Sequence, residues 1–104
     1  MAMAEFVRVC AQAELPSPGN VREFIASGRA LCVANIEGAI CVLDGTCPHE
    51  GGPLGEGMIE GGRVVCPWHS FAFDLHTGEA EGEPSLKAEV LEARVEGGEL
   101  RVKV

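Results

Sequence analysis

The sequence predicts an all-β fold, an antiparallel sandwich or barrel, from two observations. Apolar runs of about four to eight residues alternate with turns rich in glycine and proline, and no segment of ten or more residues shows a convincing helical pattern. At 104 residues the chain has the length of one domain, which we expect to span residues 1–104. The predicted strands are 5–10, Val21–Ala26, 30–36, 39–43, 63–66, 71–74, 88–95 and 100–104.

Turn residues set the boundaries of these strands. The segment 16–20, Pro-Ser-Pro-Gly-Asn, cannot lie inside a strand because proline removes a hydrogen-bond donor from the ladder. Glu37-Gly38 and Gly97-Gly98 are expected to close hairpins. Residues alternate through 88–95, which predicts one strand that turns at 96–99 into the C-terminal strand.

Two short segments place cysteine and histidine close together. Cys47 and His49 are spaced C-x-H and, after sixteen intervening residues, Cys66 and His69 are spaced C-x-x-H. Two thiolates and two imidazoles suit either zinc or an iron–sulfur cluster. Because each segment holds one residue of each type, two facing loops could give one iron both thiolates and a second iron both imidazoles.

A structural zinc site is the alternative use of these four side chains. Zinc fingers usually group two cysteines and then two histidines, whereas the order here is mixed. The segment 51–62 is also rich in glycine, which lets the backbone approach a cofactor and point N–H groups at sulfur. Its glycines are Gly51, Gly52, Gly55, Gly57, Gly61 and Gly62. A zinc-stabilised interaction module stays open beside the iron–sulfur interpretation.

The residues around both motifs resemble the cluster-binding loops of Rieske ferredoxins. Residues 47–54, Cys-Pro-His-Glu-Gly-Gly-Pro-Leu, are similar to the first loop. Residues 66–74, Cys-Pro-Trp-His-Ser-Phe-Ala-Phe-Asp, followed by Thr77-Gly78-Glu79, are similar to the second. Gly82-Glu83-Pro84 stands where that family has a proline-bearing third loop against the cluster. The resemblance covers nearly the whole chain and implies a base of antiparallel sheets with an inserted cluster-binding subdomain at about 45–84.

The resemblance also implies a function and a cofactor. It implies one [2Fe–2S] cluster, held by Cys47, His49, Cys66 and His69, in a carrier that passes single electrons from a flavin-containing reductase to a terminal oxygenase. Ring-hydroxylating dioxygenase systems contain such ferredoxins. No nucleophile–base pair or phosphate loop indicates an enzyme. The alternative of the same fold is the small subunit of an NAD(P)H-dependent nitrite reductase, whose partner is the large subunit.

Departures from the respiratory Rieske proteins predict a low reduction potential. Those proteins have a further cysteine in each loop, joined as a disulfide, where this chain has Gly52 and Trp68. They also donate hydroxyl hydrogen bonds from a serine and a tyrosine, where this chain has Phe71 and Phe73; Ser70 lies one residue early. With fewer donors to stabilise the reduced charge, we expect a potential low in the Rieske range of about −150 to +300 mV, with little pH dependence near neutrality.

The side chains of the two loops are expected to divide between packing and electron transfer. Phe71 and Phe73 are expected to anchor the second loop on the base. Trp68 is expected in the core, and its alternative role is to shield the cluster. The outer nitrogens of His49 and His69 are expected to face solvent and form the electron port.

The formal net charge of −8 argues against nucleic acid and anionic membrane as partners. Acidic residues near the motifs could steer the carrier toward basic partner faces, or could form an ordinary solvated surface: Glu50, Glu56, Glu60, Asp74, Glu79, Glu81 and Glu83. The longest apolar runs, about five residues, are too short to span a bilayer, and the N-terminus has no export pattern. We therefore expect a cytoplasmic, soluble protein without a second catalytic domain.

Three cysteines and one histidine are left outside the motifs. Cys10, Cys32 and Cys41 lie in predicted strands and are expected to be structural thiols. Cys32 and Cys41 should share one face as a diagonal pair, where a disulfide is not expected in a reducing compartment. His76 lies in a turn sequence and is expected to be exposed and non-ligating.

Overall fold

A computed structural model of the chain describes residues 6–48, 51–68 and 71–103. Within these ranges the secondary structure consists of twelve strands and two three-residue 3₁₀ turns, which confirms the predicted all-β fold. The terminal residues of the predicted strands 5–10 and 100–104 lie outside the described residues, as do four residues of the motif loops and the side chain of Pro84. Those four are His49, Glu50, His69 and Ser70.

The elements follow one another with short connections. The strands are β1 (Phe6–Ala11), β2 (Val21–Ala26), β3 (Arg29–Ile36), β4 (Ala39–Asp44), β5 (Met58–Glu60), β6 (Arg63–Val65), β7 (Ala72–Asp74), β8 (Glu79–Ala80), β9 (Glu83–Lys87), β10 (Val90–Leu91), β11 (Ala93–Glu96) and β12 (Glu99–Lys103). The 3₁₀ turns are Gln12–Glu14 and Leu54–Glu56.

The strands form three antiparallel sheets. A three-stranded sheet has the order β1-β12-β11, and a four-stranded sheet has the order β10-β4-β3-β2. The third sheet, with five short strands in the order β5-β6-β7-β8-β9, contains the segments on either side of the second motif. The first two sheets are the base, and the third carries the motif loops.

The four-stranded sheet is covered on both faces, and β3 shows this most clearly. Leu31 and Val33 belong to one apolar cluster, shared with the three-stranded sheet. Cys32 and Ala34 belong to a second cluster, shared with the five-stranded sheet. Because successive side chains of a strand point to opposite faces, burial on both faces explains why β3 is a continuous apolar run rather than an alternating one.

Two hairpins close with two-residue turns at the positions expected from the sequence. Glu37 and Gly38 have φ angles of 52° and 96° between β3 and β4, and Gly97 and Gly98 have φ angles of 62° and 76° between β11 and β12. Ser27-Gly28 turns in the same way between β2 and β3. Positive φ at both turn residues matches the right-handed twist of the flanking strands.

The single strand predicted at 88–95 is wrong. Val90–Leu91 pairs with β4 in the four-stranded sheet, whereas Ala93–Glu96 pairs with β12 in the three-stranded sheet. Between them the Glu92 carbonyl accepts a hydrogen bond from the Lys103 N–H at 2.9 Å. The chain therefore changes sheet within an alternating run.

The predicted loop at 82–84 is also corrected. Only the turn at Glu81-Gly82 is irregular, because Glu83–Lys87 forms strand β9, which pairs with β8. This strand lies at the edge of its sheet, the position at which strands tolerate a proline. The sequence also did not predict β5 (Met58–Glu60), which pairs with β6.

The described part of the chain contains no helix that is long and apolar enough to cross a bilayer.

Candidate metal centre

The first motif loop begins where β4 ends, at a carboxylate that joins it to the base. The Thr46 N–H donates to Asp44 Oδ1 at 2.8 Å, and Arg29 Nη2 on β3 donates to Asp44 Oδ2 at 2.9 Å. The Gly45 N–H donates to the Ala30 carbonyl at 2.9 Å. These bonds fix the direction in which the chain enters the loop, two residues before Cys47.

Cys47 is held by its own loop and is almost completely buried. Its N–H donates to the Gly52 carbonyl at 2.8 Å, and its carbonyl accepts the Gly51 N–H at 2.8 Å. A bridge between Thr46 and Pro53 closes the loop below these bonds. Cys47 is 1% exposed. The backbone of the loop is therefore set by hydrogen bonds within the chain.

The second motif loop extends the hairpin formed by β6 and β7. The Cys66 N–H donates to the Phe71 carbonyl at 2.7 Å, one step beyond the pairing of Val65 with Ala72. The backbone N–H of Trp68 donates to Cys66 Sγ, with an N···S distance of 3.4 Å. Cys66 is 1% exposed. An N–H donor to sulfur favours a negatively charged sulfur over a neutral one.

The two loops touch each other at Gly52. An ideal Cβ built on this glycine would lie 3.0 Å from Cys66 Sγ, which is tighter than most real Cβ contacts, and 2.9 Å from Trp68 Cγ, which is closer than real Cβ atoms approach. Cys47 and Cys66 also belong to one apolar cluster. The structure therefore places the two predicted thiolate ligands in loops that meet at Gly52, where an added side chain would be tightly packed.

The expected core position of Trp68 is wrong. Its side chain is half-exposed, with 50% of its surface accessible. Trp68 stands in the turn of the second loop, and the buried positions of the apolar cluster that contains Cys66 are occupied by residues such as Phe73, Val64 and Leu75. The first loop meets the Trp68 ring at Gly52.

The glycines of segment 51–62 have different surroundings in the structure. A Cβ at Gly61 or Gly62 would meet nothing within 4 Å, because both residues form the turn between β5 and β6. A Cβ at Gly51 would likewise meet nothing within 4 Å. Gly55 lies against the β2 backbone at Glu23, and Gly57 lies against the Val65 carbonyl, so both serve the packing of the turn at Leu54–Glu56.

Phe71 and Phe73 anchor the second loop as predicted. Phe73 is completely buried and belongs to the cluster that contains Cys32 and Leu43 of the base. Phe71 packs against the same cluster, and the two rings stack with centroids 6.5 Å apart and planes at 27°. Neither ring offers a hydrogen-bond donor to a neighbouring sulfur.

The remaining cysteines are thiols without disulfides, and Cys10 and Cys32 are fully buried. Burial raises the pKa of Cys32 to about 12, and burial also raises the pKa of Cys10 and of half-buried Cys41 above the ordinary range. Cys32 and Cys41 do lie diagonally, since Cys32 pairs with Leu43 and Cys41 with Ala34. The three thiols are therefore packing residues kept in their neutral form.

The turn after β7 places His76 in solvent, as predicted. The backbone N–H groups of His76 and Thr77 donate to Asp74 Oδ1 at 2.7 and 3.0 Å. These two bonds hold the pKa of the Asp74 carboxyl below its usual range. The acidic residues predicted near the motifs and described by the structure are exposed, apart from half-buried Asp74: Glu56, Glu60, Glu79, Glu81 and Glu83.

A sequence model of the Rieske [2Fe–2S] domain matches residues 5–101. Ferredoxin CarAc of Metapseudomonas resinovorans is 31% identical over 99 residues, which are 93% of this chain and 92% of that protein. Human apoptosis-inducing factor 3 is 41% identical over 69 residues, or 65% of this chain. The matched part is only 11% of that second relative's length.

Two solved structures have the same fold over nearly the whole chain. The complex of reduced oxygenase and oxidised ferredoxin in carbazole 1,9a-dioxygenase contains a chain with a TM-score of 0.82 and 29% identity, covering 94% of this chain and 92% of that chain. A Mycobacterium tuberculosis protein described as an NADH-dependent nitrite reductase small subunit gives a TM-score of 0.85 at 22% identity, covering 99% and 97%.

The described residues fit a cluster of this kind. Two buried sulfurs, from Cys47 and Cys66, stand in adjoining loops, and the Gly52 position between them holds no side chain that would fill the space. The sequence did not identify the carboxylate of Asp44 or its partner Arg29 as supports of the first loop. The available signal was an aspartate two residues before the threonine whose N–H it accepts.

Proposed function

The chain belongs to the Rieske [2Fe–2S] domain family, and we propose that it carries single electrons from a flavin-containing reductase to a terminal oxygenase. Its cofactor is one [2Fe–2S] cluster. The observation that most directly supports this proposal is the contact of the two motif loops at Gly52, beside Cys66 Sγ. We place the cluster in the subdomain at about 45–84 within a single domain spanning residues 1–104.

We assign four side chains as ligands, one thiolate and one imidazole from each loop: Cys47, His49, Cys66 and His69. The burial of both cysteines and the approach of their loops support the thiolate half of this assignment. The spacing of the motifs supports the imidazole half. The outer nitrogens of the histidines are assigned as the electron port.

The chain's own residues determine what the bound cluster can do. When bound, the cluster supplies reversible one-electron chemistry. Burial of Cys47 and Cys66 keeps water from the sulfurs, and the Trp68 N–H offsets negative charge on Cys66. The rings of Phe71 and Phe73 fill the space behind the loop without adding donors. The lack of donors on these two described rings supports a potential low in the Rieske range.

The similar proteins support the proposed partners. The related ferredoxins include CarAc and the ferredoxin component of the naphthalene 1,2-dioxygenase system of Pseudomonas aeruginosa, and a solved complex holds a similar ferredoxin with its oxygenase. A formal net charge of −8 suits steering toward basic partner faces. We assign the chain as an electron carrier rather than an enzyme. We also place it in the cytoplasm, where the free thiols of Cys32 and Cys41 would stay reduced.

The ligand assignment is tested by replacing each of the four residues in turn with serine or alanine. Each variant should lose bound iron and sulfide, the visible spectrum and the EPR signal of the reduced protein. Cys41→Ser is the matched control, because Cys41 is a half-buried thiol that belongs to the same apolar cluster and is not an assigned ligand. A variant at any of the four positions that keeps an unchanged spectrum would contradict the assignment.

The second candidate, which the motif resemblance also implies, is the small subunit of an NAD(P)H-dependent nitrite reductase; the Mycobacterium tuberculosis structure has the same fold over 99% of this chain. At 22% identity that likeness supports the fold alone. Purification of the chain from its own cells separates the two proposals. Stoichiometric association with a large sirohaem-bearing chain favours the subunit, whereas a free chain that accepts electrons from a reductase favours the carrier. A colourless protein with bound zinc would support the zinc-stabilised module instead.

A further inference from the structure

Strand β11 is an edge strand of the three-stranded sheet in the described part of the chain. Three of its four residues are exposed, and Val95 among them is 40% exposed. The Lys103 N–H bonds to the Glu92 carbonyl, so these two residues form a hydrogen-bonded pair beside the β11–β12 ladder. Because such pairs alternate along antiparallel strands, Arg94 and Glu96 bond to β12, whereas the N–H and carbonyl of Val95 point away from it.

The other edge strands of the described sheets have features that hinder pairing with another chain. Strand β1 has a bulge at Arg8–Cys10, β9 contains Pro84, and β5 and β10 have only three and two residues. The second 3₁₀ turn lies against β2, since a Cβ on Gly55 would stand 2.7 Å from Glu23 Cα. By contrast, β11 contains neither a proline nor a register shift, so its outer backbone groups are in regular position to pair.

The side chains of β11 are complementary to those of a second copy of the same strand laid antiparallel to it. With a two-fold axis at Val95, the two Val95 residues stand opposite each other and exchange two N–H···O=C bonds. Arg94 of each copy then stands opposite Glu96 of the other, and both side chains lie on one face because residues two apart point the same way. The charges on this edge therefore favour pairing with a second copy.

An apolar hollow adjoins Val95 on the opposite face of the strand, the face of buried Leu100. The hollow has a volume of about 360 Å³, and the described residues that line it carry no charge. Its apolar lining consists of Leu15, Pro16, Ile40 and Val95. A second valine placed opposite Val95 would extend this apolar wall and remove part of it from water.

From these observations we propose that β11 is a homodimerisation edge, on which a second copy of this chain pairs antiparallel about Val95. The two three-stranded sheets then form one continuous sheet in the order β1-β12-β11-β11-β12-β1. The contact involves neither motif loop and is independent of the proposed electron transfer. Because the contact is short and each copy has a formal net charge of −8, we expect a weak, reversible dimer with a Kd on the order of 0.1 mM.

Sedimentation equilibrium of the purified holoprotein, at concentrations up to about 1 mM and in about 0.15 M salt, measures this dimer directly. Arg94→Glu places like charges opposite each other twice and should raise the Kd at least about tenfold. The exchanged variant Arg94→Glu/Glu96→Arg restores opposite charges in the same register, and its Kd should return to within about threefold of wild type. Val95→Pro removes the N–H that donates across the axis but none that bonds to β12, and should abolish the dimer.

Arg22→Glu is the matched control for net charge. It changes the charge by the same amount on β2 and, like Arg94→Glu, removes an arginine that lies over a phenylalanine ring, Phe24 for Arg22 and Phe6 for Arg94. Its Kd should stay within about twofold of wild type. Three results would overturn the proposal: a wild-type protein that stays monomeric throughout, equal weakening by Arg22→Glu and Arg94→Glu, or an exchanged variant as weak as Arg94→Glu. Each would leave the electron carrier standing, because sedimentation does not depend on electron transfer.

Discussion

Replacing Gly52 with alanine perturbs the point at which the two motif loops meet. The new Cβ would lie 3.0 Å from Cys66 Sγ and from Trp68 Cδ2, and 2.9 Å from Trp68 Cγ. Ordinary contacts begin near 3.4 Å, so the Cys66 sulfur and the Trp68 ring must move away from this position by roughly 0.4 Å. Because Cys66 is an assigned ligand, this displacement acts directly on the proposed cluster.

The expected loss of stability follows from overpacking a tight contact. Such substitutions cost about 1–3 kcal/mol, and each kcal/mol lowers the melting temperature of a domain of this size by roughly 4–8 °C. We therefore expect the Gly52→Ala holoprotein to melt at a lower temperature by at least about 4 °C. We also expect less iron per chain and an altered EPR spectrum of the reduced protein.

Gly51→Ala is the control for this substitution. Its Cβ would meet nothing within 4 Å, although its φ of 78° adds backbone strain that Gly52 does not have. Gly51→Ala should therefore lower the melting temperature while leaving the EPR spectrum of the cluster unchanged. If Gly52→Ala instead keeps full iron content, the wild-type spectrum and the wild-type melting temperature, the inferred contact between the loops is refuted.

Three further predictions concern the surroundings of the loops. Phe73→Ala removes a completely buried ring and should cost about 3–5 kcal/mol in denaturant unfolding; a cost below about 1 kcal/mol would contradict its anchoring role. Asp74→Ala removes the acceptor of two N–H bonds and should lower the melting temperature at pH 7. Because the folded pKa of Asp74 lies below 3.8, this difference should be full above pH 3.8 and shrink as the pH falls below it; an unchanged difference in acid would contradict that origin. The reduction potential, measured by redox titration, should fall low in the range of about −150 to +300 mV, and a value well above about +150 mV would contradict the scarcity of donors.

Sequence patterns predicted most strands because local chemistry decides them. Residues 37–38 and 97–98 carry the turn residues of two-residue hairpins, so the strands on either side of 37–38 and the strand after 97–98 were placed correctly. The strand at 88–95 failed because alternation records which side chains are buried and not which sheet buries them. Val90–Leu91 and Ala93–Glu96 bury residues against different sheets, and only the tertiary pairing distinguishes them.

The candidate site divides in the same way between local and tertiary information. The ligand types and their spacing are local, so Cys47 and Cys66 could be selected from the sequence. The exposure of Trp68 and the approach of Gly52 to Cys66 depend on how two loops far apart in sequence pack together. No periodicity reports that packing, so hydrophobicity alone placed Trp68 wrongly in the core.

The ligand assignment is tested most directly by pulsed EPR of the reduced wild-type holoprotein, with histidine labelled by ¹⁵N in a parallel sample. A mixed-ligand centre predicts strong couplings to two histidine nitrogens, one from His49 and one from His69, which change with the isotope. A reduced cluster without histidine coupling would mean cysteine ligation throughout and would contradict the mixed-ligand centre. A protein that carries metal but gives no signal when reduced would contradict the electron carrier itself.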